Sequence, residues 1–206
     1  MHQSIPTIRT PDGLHLIGTL VESDAPTTHA VVLVHGGGVT REEGGFFTRL
    51  AAGLAESGIA SLRFDLRGHG ESDGRQEDRT LTMHLNDIAA AIESVRRETG
   101  ATTIDLIGAS FGGGLVAYYA AKRPTDVARL VLLNPQLNYF DRYIEQKPHW
   151  VDGHLDDEAA ARLQEDGYLE HSPTVRHGRA FLNDVFWIRP NEVLGEITAP
   201  TLIVHG

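Results

Sequence analysis

Cysteine is absent from the 206 residues, which excludes disulfides, a thiol nucleophile and thiolate-bound metal. Basic residues are in deficit: 18 Lys and Arg stand against 28 Asp and Glu, for a formal net charge of −10. That balance argues against a general affinity for nucleic acid or an anionic membrane. No apolar run approaches the roughly 18 residues of a membrane span. The opening Met1-His2-Gln3-Ser4-Ile5-Pro6 has neither the basic start nor the apolar run of a signal peptide. The cytoplasm is the compartment these absences fit. Phosphate-loop and dinucleotide fingerprints are also missing, so no organic cofactor is expected. His149, Asp152 and His154, and the pair His171 and His177, have no regular ligand spacing. They read as loop residues, and no metal is expected.

What the chain does have is the stretch Asp105-Leu106-Ile107-Gly108-Ala109-Ser110-Phe111-Gly112-Gly113-Gly114. A Gly-x-Ser-x-Gly pentapeptide alone is a weak signal, since small residues are common in loops. Set between the apolar residues 104–107 and 115–121, it becomes a strong one. A sharp strand-to-helix turn lifts a hydroxyl clear of the sheet on a strained backbone. Gly108 and Gly112 remove side chains that would collide across the turn. The new helix points free N–H groups at the place where an oxyanion would form. Ser110 is therefore the candidate nucleophile, rather than a structural serine in a tight turn. It requires a histidine to take its proton.

The length suits one domain with a sizeable core. Residues 4–10 and 14–21 predict an antiparallel hairpin around Pro11-Asp12-Gly13, and Pro26-Thr27-Thr28 opens a loop. Residues 30–34 are continuously apolar, as in a strand covered on both faces. Strands at 59–64, 104–107, Arg129–Leu133 and Thr201–Val204 alternate with helical patterns starting near Phe46, Leu81 and Phe111. A short helix is predicted over 191–197. The alternation implies right-handed crossovers and a mostly parallel, doubly wound α/β sheet with the antiparallel hairpin at one edge. Ligands bind such sheets beyond the carboxyl ends of the strands. His35, Asp65, Ser110, Asn134 and His205 share that address.

The segment between Asn134 and Asn191 is too long for an ordinary loop and predicts an inserted, helical cap after the sixth strand. The core is then 1–134 and 191–206, with the cap at 135–190. Eight of the fourteen aromatic residues fall in the cap: Tyr139, Phe140, Tyr143, Trp150, Tyr168, Phe181, Phe186 and Trp187. Their density predicts an apolar or aromatic wall over Ser110 and a small acyl substrate of that character. Asp156-Asp157-Glu158 reads as a helix start with acids at its positive end. For the oxyanion hole, Phe111 N–H needs a second donor; Gly37 is the first candidate and Gly38 the second. His35 reads as a brace for its loop rather than as the base. Asp65 and His69 read as loop residues, and Asp105 sits at the wrong end of its strand.

On His35-Gly36-Gly37, the run from Arg63 through Asp65-Leu66-Arg67-Gly68-His69-Gly70 to Ser72, Gly108-Ala109-Ser110-Phe111-Gly112 and the closing Pro200-Thr201-Leu202-Ile203-Val204-His205-Gly206, the chain resembles the α/β-hydrolase superfamily along essentially its whole length. More narrowly it is similar to the serine aminopeptidase-like and lysophospholipase-like branch, with its cinnamoyl and feruloyl esterase-type enzymes. The resemblance implies a serine hydrolase of carboxylic esters working through an acyl-enzyme. The acyltransferase, thioesterase and peptidase chemistries of the same fold, or a non-catalytic binding module, are the alternatives. It further implies a catalytic acid and a histidine beyond Gly206. The expectation is thus a C-terminally truncated chain, inactive as it stands, without the last strand and helix and with an exposed sheet edge. An internal triad from Asp141 and His149 is the competing expectation.

Overall fold

The structure, a computed structural model, describes residues 1–24 and 27–206; the loop opening expected at Pro26 lies outside the described residues. The chain begins with β1 (His2–Ser4), β2 (Thr7–Arg9) and β3 (His15–Glu22), in which β1 and β2 both run antiparallel to β3. The single first strand expected over residues 4–10 is thus two. Pro6 has no N–H to give the ladder and interrupts it. β4 (His29–Val34), β5 (Ala60–Phe64), β6 (Thr103–Ala109) and β7 (Arg129–Leu133) follow, the last three each after a helical crossover. The sheet order is β1-β3-β5-β4-β6-β7, and the last strand, described below, pairs with β7 at the edge. From β5 onward all pairs are parallel.

The helices form where sequence chemistry places them. α1 (Phe46–Glu56) buries Phe47, Ala51 and Ala55 at four-residue intervals and stops at Gly58, which has φ 78°. α2 (Leu81–Thr99) opens on Thr80, whose hydroxyl accepts the Met83 N–H at 3.0 Å. Its last turn carries Arg96 and Arg97 against the negative dipole end, and Gly100 closes it in the left-handed region. α3 (Phe111–Lys122) is buried on nearly every side, as a helix lodged in the middle of the fold must be.

Register brings the functional strand ends level. Val34 pairs with Phe64 on one side and Gly108 on the other, and Ala109 pairs with Leu133. His35, Asp65, Ser110 and Asn134 therefore leave the sheet side by side. The β6–α3 crossing leaves no space there. A Cβ on Gly112 would run into the carbonyl oxygens of Val34 and His35, and one on Gly108 would meet the Gly112 carbonyl. Gly112→Ala is expected to cost about 1–3 kcal/mol as overpacking against backbone that cannot retreat. A denaturation midpoint equal to wild type would contradict this close crossing.

Residues beyond β7 hold a π-helical turn (Asp141–Glu145), the hairpin β8 (Trp150–Val151) with β9 (His154–Leu155), α4 (Asp157–Glu165), the hairpin β10 (Tyr168–Ser172) with β11 (Val175–Gly178), and α5 (Arg179–Asp184). The expected helical cap is a mixture of short hairpins and helices. Asp156 caps α4 as expected, accepting the Ala159 N–H at 2.7 Å. The helix expected over 191–197 is two 3-10 turns, Pro190–Glu192 and Leu194–Glu196. Pro190 at its start and Gly195 within it leave too few residues to nucleate an α-helix. β12 (Thr201–Val204) then pairs parallel to β7 and exposes Leu202, Ile203 and Val204 at the sheet edge.

Candidate active site

Ser110 sits at φ 48°, ψ −116°, outside the conformations a serine prefers. Its own backbone is held from both sides: its N–H donates to Leu133 O at 2.9 Å, and its carbonyl accepts from Gln136 N–H at 2.8 Å and Gly113 N–H at 3.0 Å. Tyr139, fully buried, donates its hydroxyl to the Phe111 carbonyl at 2.6 Å and pins the first turn of α3. The serine opens onto a pocket of about 230 Å³ lined by Gly37, Phe111, Gln136, Arg142, Tyr143, His171, Ser172 and Val175. On its other side lies a second depression lined by Glu43, Phe46, Leu133, Asn134 and Val204.

Gly37 and Phe111 face one another: a Cβ on Gly37 would stand 3.6 Å from Phe111 Cβ. Neither N–H donates to an acceptor among the described residues. Gly38 is set apart from them. It has φ 74°, and any side chain there would collide with Thr174 and Val175 at the tip of the β10–β11 hairpin. That tip is itself gripped by Gln76, which donates to the Thr174 carbonyl and accepts the Arg176 N–H, both at 3.0 Å.

His35 is a brace. Its Nε2 accepts the Leu66 N–H at 3.0 Å and its Nδ1 faces the Gly36 carbonyl at 2.7 Å, so the neutral ring with the proton on Nδ1 is the form that fits. Complete burial holds its pKa down to about 4. Asp65 accepts the N–H groups of Arg41 at 2.7 Å and Glu71 at 3.0 Å and pairs with the Arg41 guanidinium; its carboxylate also occupies the space a side chain at Gly70 would need. Asp105 pairs with His29 at 2.7 Å near the opposite end of the sheet. Arg67 bridges Asp87 on α2 and Asp12 in the first turn, and its hydrogen bonds hold the Asp12 carboxyl down at about 2. Asp141 accepts from Gln146 at 2.7 Å, and His149 lines a separate depression with Arg162 and Tyr168. Neither lines the Ser110 pocket. The eleven histidines of the chain place no ring within hydrogen-bonding distance of the Ser110 hydroxyl among the described residues. His171 lines its pocket, but burial and the cations Lys147, Arg142 and Arg79 hold its pKa down at about 4. Surroundings that oppose an imidazolium do not suit a general base.

Glu43 and Arg142 carry no sequence signal for the site, and His171, read as a loop residue, lies on β10. Glu43, at φ 46°, accepts the Gly36 N–H at 2.6 Å and so fixes the glycine loop; burial raises its pKa. Arg142 and His171 reach the pocket from the cap. Of the eight cap aromatics only Tyr143 lines it. Tyr139 and Phe181 pack the cap onto Phe111, Phe140 and Trp150 pack on Phe186, and Trp187 is exposed. The expected aromatic wall is instead largely polar, because Tyr139 and Phe181 pack against Phe111, while Phe140, Trp150 and Phe186 pack on one another within the cap.

A level row of strand ends, a strained serine between strand and helix and an adjacent glycine loop define the α/β-hydrolase architecture. The chain belongs to that family: the profile described as alpha/beta hydrolase fold matches residues 29–162. It is an α/β-hydrolase of the lipase and esterase branch. Monoacylglycerol lipase of Mycolicibacterium smegmatis is 26% identical over 219 residues, covering 94% of this chain and 75% of the lipase. Monoglyceride lipase of Homo sapiens is 26% identical over 135 residues, covering 65% of this chain and 44% of the human protein. Among solved structures, Est1E from Butyrivibrio proteoclasticus with ferulic acid bound superposes with a TM-score of 0.79 at 27% identity, over 98% of this chain and 78% of Est1E. The chain thus spans about three quarters of the bacterial relatives and less than half of the human one.

Proposed function

We propose that the protein is a serine hydrolase of small carboxylic esters that works through an acyl-enzyme on Ser110. The observation that carries this reading is the strained Ser110 backbone beside the undonated N–H groups of Gly37 and Phe111. In the first half-reaction Ser110 Oγ attacks the ester carbonyl, and the oxyanion is received by those two N–H groups. The C–O bond to the alcohol then breaks, and the alcohol leaves with the proton taken from the serine. Water repeats the sequence on the acyl-enzyme and releases the acid. A carboxylate-oriented histidine must carry the proton in both halves. Gly37 is favoured over Gly38 as second donor because Gly37 faces Phe111, whereas Gly38 is wedged against the cap hairpin.

A fluorophosphonate probe is expected to label the full-length protein, and Ser110→Ala is expected to abolish labelling; an alanine variant labelled as strongly as wild type would end the assignment. Glu43 is a positioning residue in this scheme. Removing the carboxylate that holds the Gly36 N–H frees the loop carrying Gly37. Glu43→Ala is expected to lower kcat about tenfold with little change in KM, in line with a charge-assisted hydrogen bond worth about 1.5–3 kcal/mol. Glu43→Gln keeps an acceptor and is expected to recover most of the rate. Equal losses in both variants would refute the role.

A further inference from the structure

The chain is acidic as a whole, at −10, yet three cations with no carboxylate partner among the described residues, Arg142, Lys147 and Arg79, bear on one place. Arg142, on the π-helical turn, lines the Ser110 pocket, and its one side-chain partner is the neutral Gln146 at 3.5 Å. No carboxylate lies within ion-pair distance of Arg142, Lys147 or Arg79 among the described residues. Arg79 is 2% exposed and lies over Phe181, with Nε and Nη1 unpartnered. Next to Arg142 in the pocket wall are Ser172 and His171, whose Nδ1 is buried without a partner. The charges that bear on His171 are Lys147, Arg142 and Arg79, with no anion among them.

We propose that this niche selects esters bearing a carboxylate, bound by the Arg142 guanidinium with His171 and Ser172 as neutral hydrogen-bonding partners. Arg142 at the pocket wall and the buried, unpaired Arg79 behind it leave the niche positive, and a substrate carboxylate answers that charge while an uncharged ester does not. Arg142 can donate two parallel N–H bonds to it, which also fixes where the ester carbonyl lies relative to Ser110. The size agrees. At about 230 Å³ the pocket is smaller than the roughly 300–1,000 Å³ of sites for drug-sized ligands and suits a short acid rather than a long acyl chain.

The inference rests on the acyl-enzyme reading of Ser110, and the test separates the two. The full-length protein is given mono-4-nitrophenyl adipate and its neutral methyl diester counterpart, 4-nitrophenyl methyl adipate. Wild type is expected to favour the anionic ester at least tenfold in kcat/KM, with the preference shrinking in 0.5 M NaCl as the charge is screened. Arg142→Gln is expected to lower the anionic-to-neutral ratio about tenfold, and Arg142→Lys to retain part of it. Arg142 is exposed, so both variants should fold, which their circular dichroism will show. Serine-dependent turnover of both esters without anionic preference, or a preference that Arg142→Gln leaves intact, overturns the niche and leaves the acyl-enzyme standing. Turnover of neither ester, together with no fluorophosphonate labelling, overturns the acyl-enzyme reading itself.

Discussion

Between pH 7 and pH 5 the protein is expected to lose a large part of its stability, before most carboxylates take up a proton. His35, His69, His84 and His177 are buried and kept neutral, chiefly because burial disfavours the imidazolium. The pKa of His35 is held at about 4 and that of His69 at about 2, against an ordinary value near 6.5. Unfolding exposes them, so below pH 6.5 the unfolded chain binds protons that the folded chain refuses. The contribution is intact above pH 6.5 and falls away as the pH drops toward the folded values. At pH 5 each of His35 and His69 costs about 2 kcal/mol, from about 1.4 kcal/mol per pH unit.

His84 and His177 act in the same direction. Their neighbours sharpen the effect, because Arg79 bears on all four rings; the opposing carboxylates are Asp65 near His35 and Asp87, 3.3 Å from His84. Losses of this size are comparable with the whole stability of a typical domain, about 5–15 kcal/mol. Thermal melts should show Tm falling by more than about 10 °C from pH 7 to pH 5. A flat Tm over that interval would mean the histidines are charged, or reached by water, in the folded protein.

Ser110→Ala is expected to reduce kcat by a factor of about 10⁴ or more, with the protein still folded. Losing the nucleophile removes the acyl-enzyme route entirely and leaves only the oxyanion donors and substrate binding. Because the serine's backbone is strained at φ 48° and its neighbours are packed, the exchange removes one oxygen and disturbs little else. The expected signature is therefore a fall in kcat with KM near its wild-type value and an unchanged melting curve. A residual rate within tenfold of wild type would place the chemistry elsewhere.

Much of this site can be read from the residues, and the reason is local. Continuous apolar runs such as residues 30–34 announce where their strands end, and the glycines around Ser110 announce a turn too tight for side chains. Thr80, Asp156 and Gly100 mark helix ends through hydrogen bonds and backbone angles set within a few residues. What cannot be read depends on distant partners. Arg79, between Asp78 and Thr80, looks like a solvated loop residue; only the folded chain shows it buried over the Phe181 ring. Glu43 is one of two adjacent glutamates until the fold brings it to Gly36. The cap hairpins are short and polar, so Tyr168–Ser172 and Val175–Gly178 carry no alternating pattern to betray them.

The glycine elbow, the glycine loop and the row of strand ends all bear on one atom, the hydroxyl oxygen of Ser110. Rapid acid quench of the full-length protein during turnover of a chromogenic ester, followed by mass analysis of the tryptic peptide running from Glu98 to Lys122, examines that atom directly. The expected result is an acyl group, of the mass of the substrate's acid minus water, on Ser110 within the burst phase and absent from Ser110→Ala. Acyl mass on another residue, or turnover with no acylated peptide at any quench time, would contradict the account.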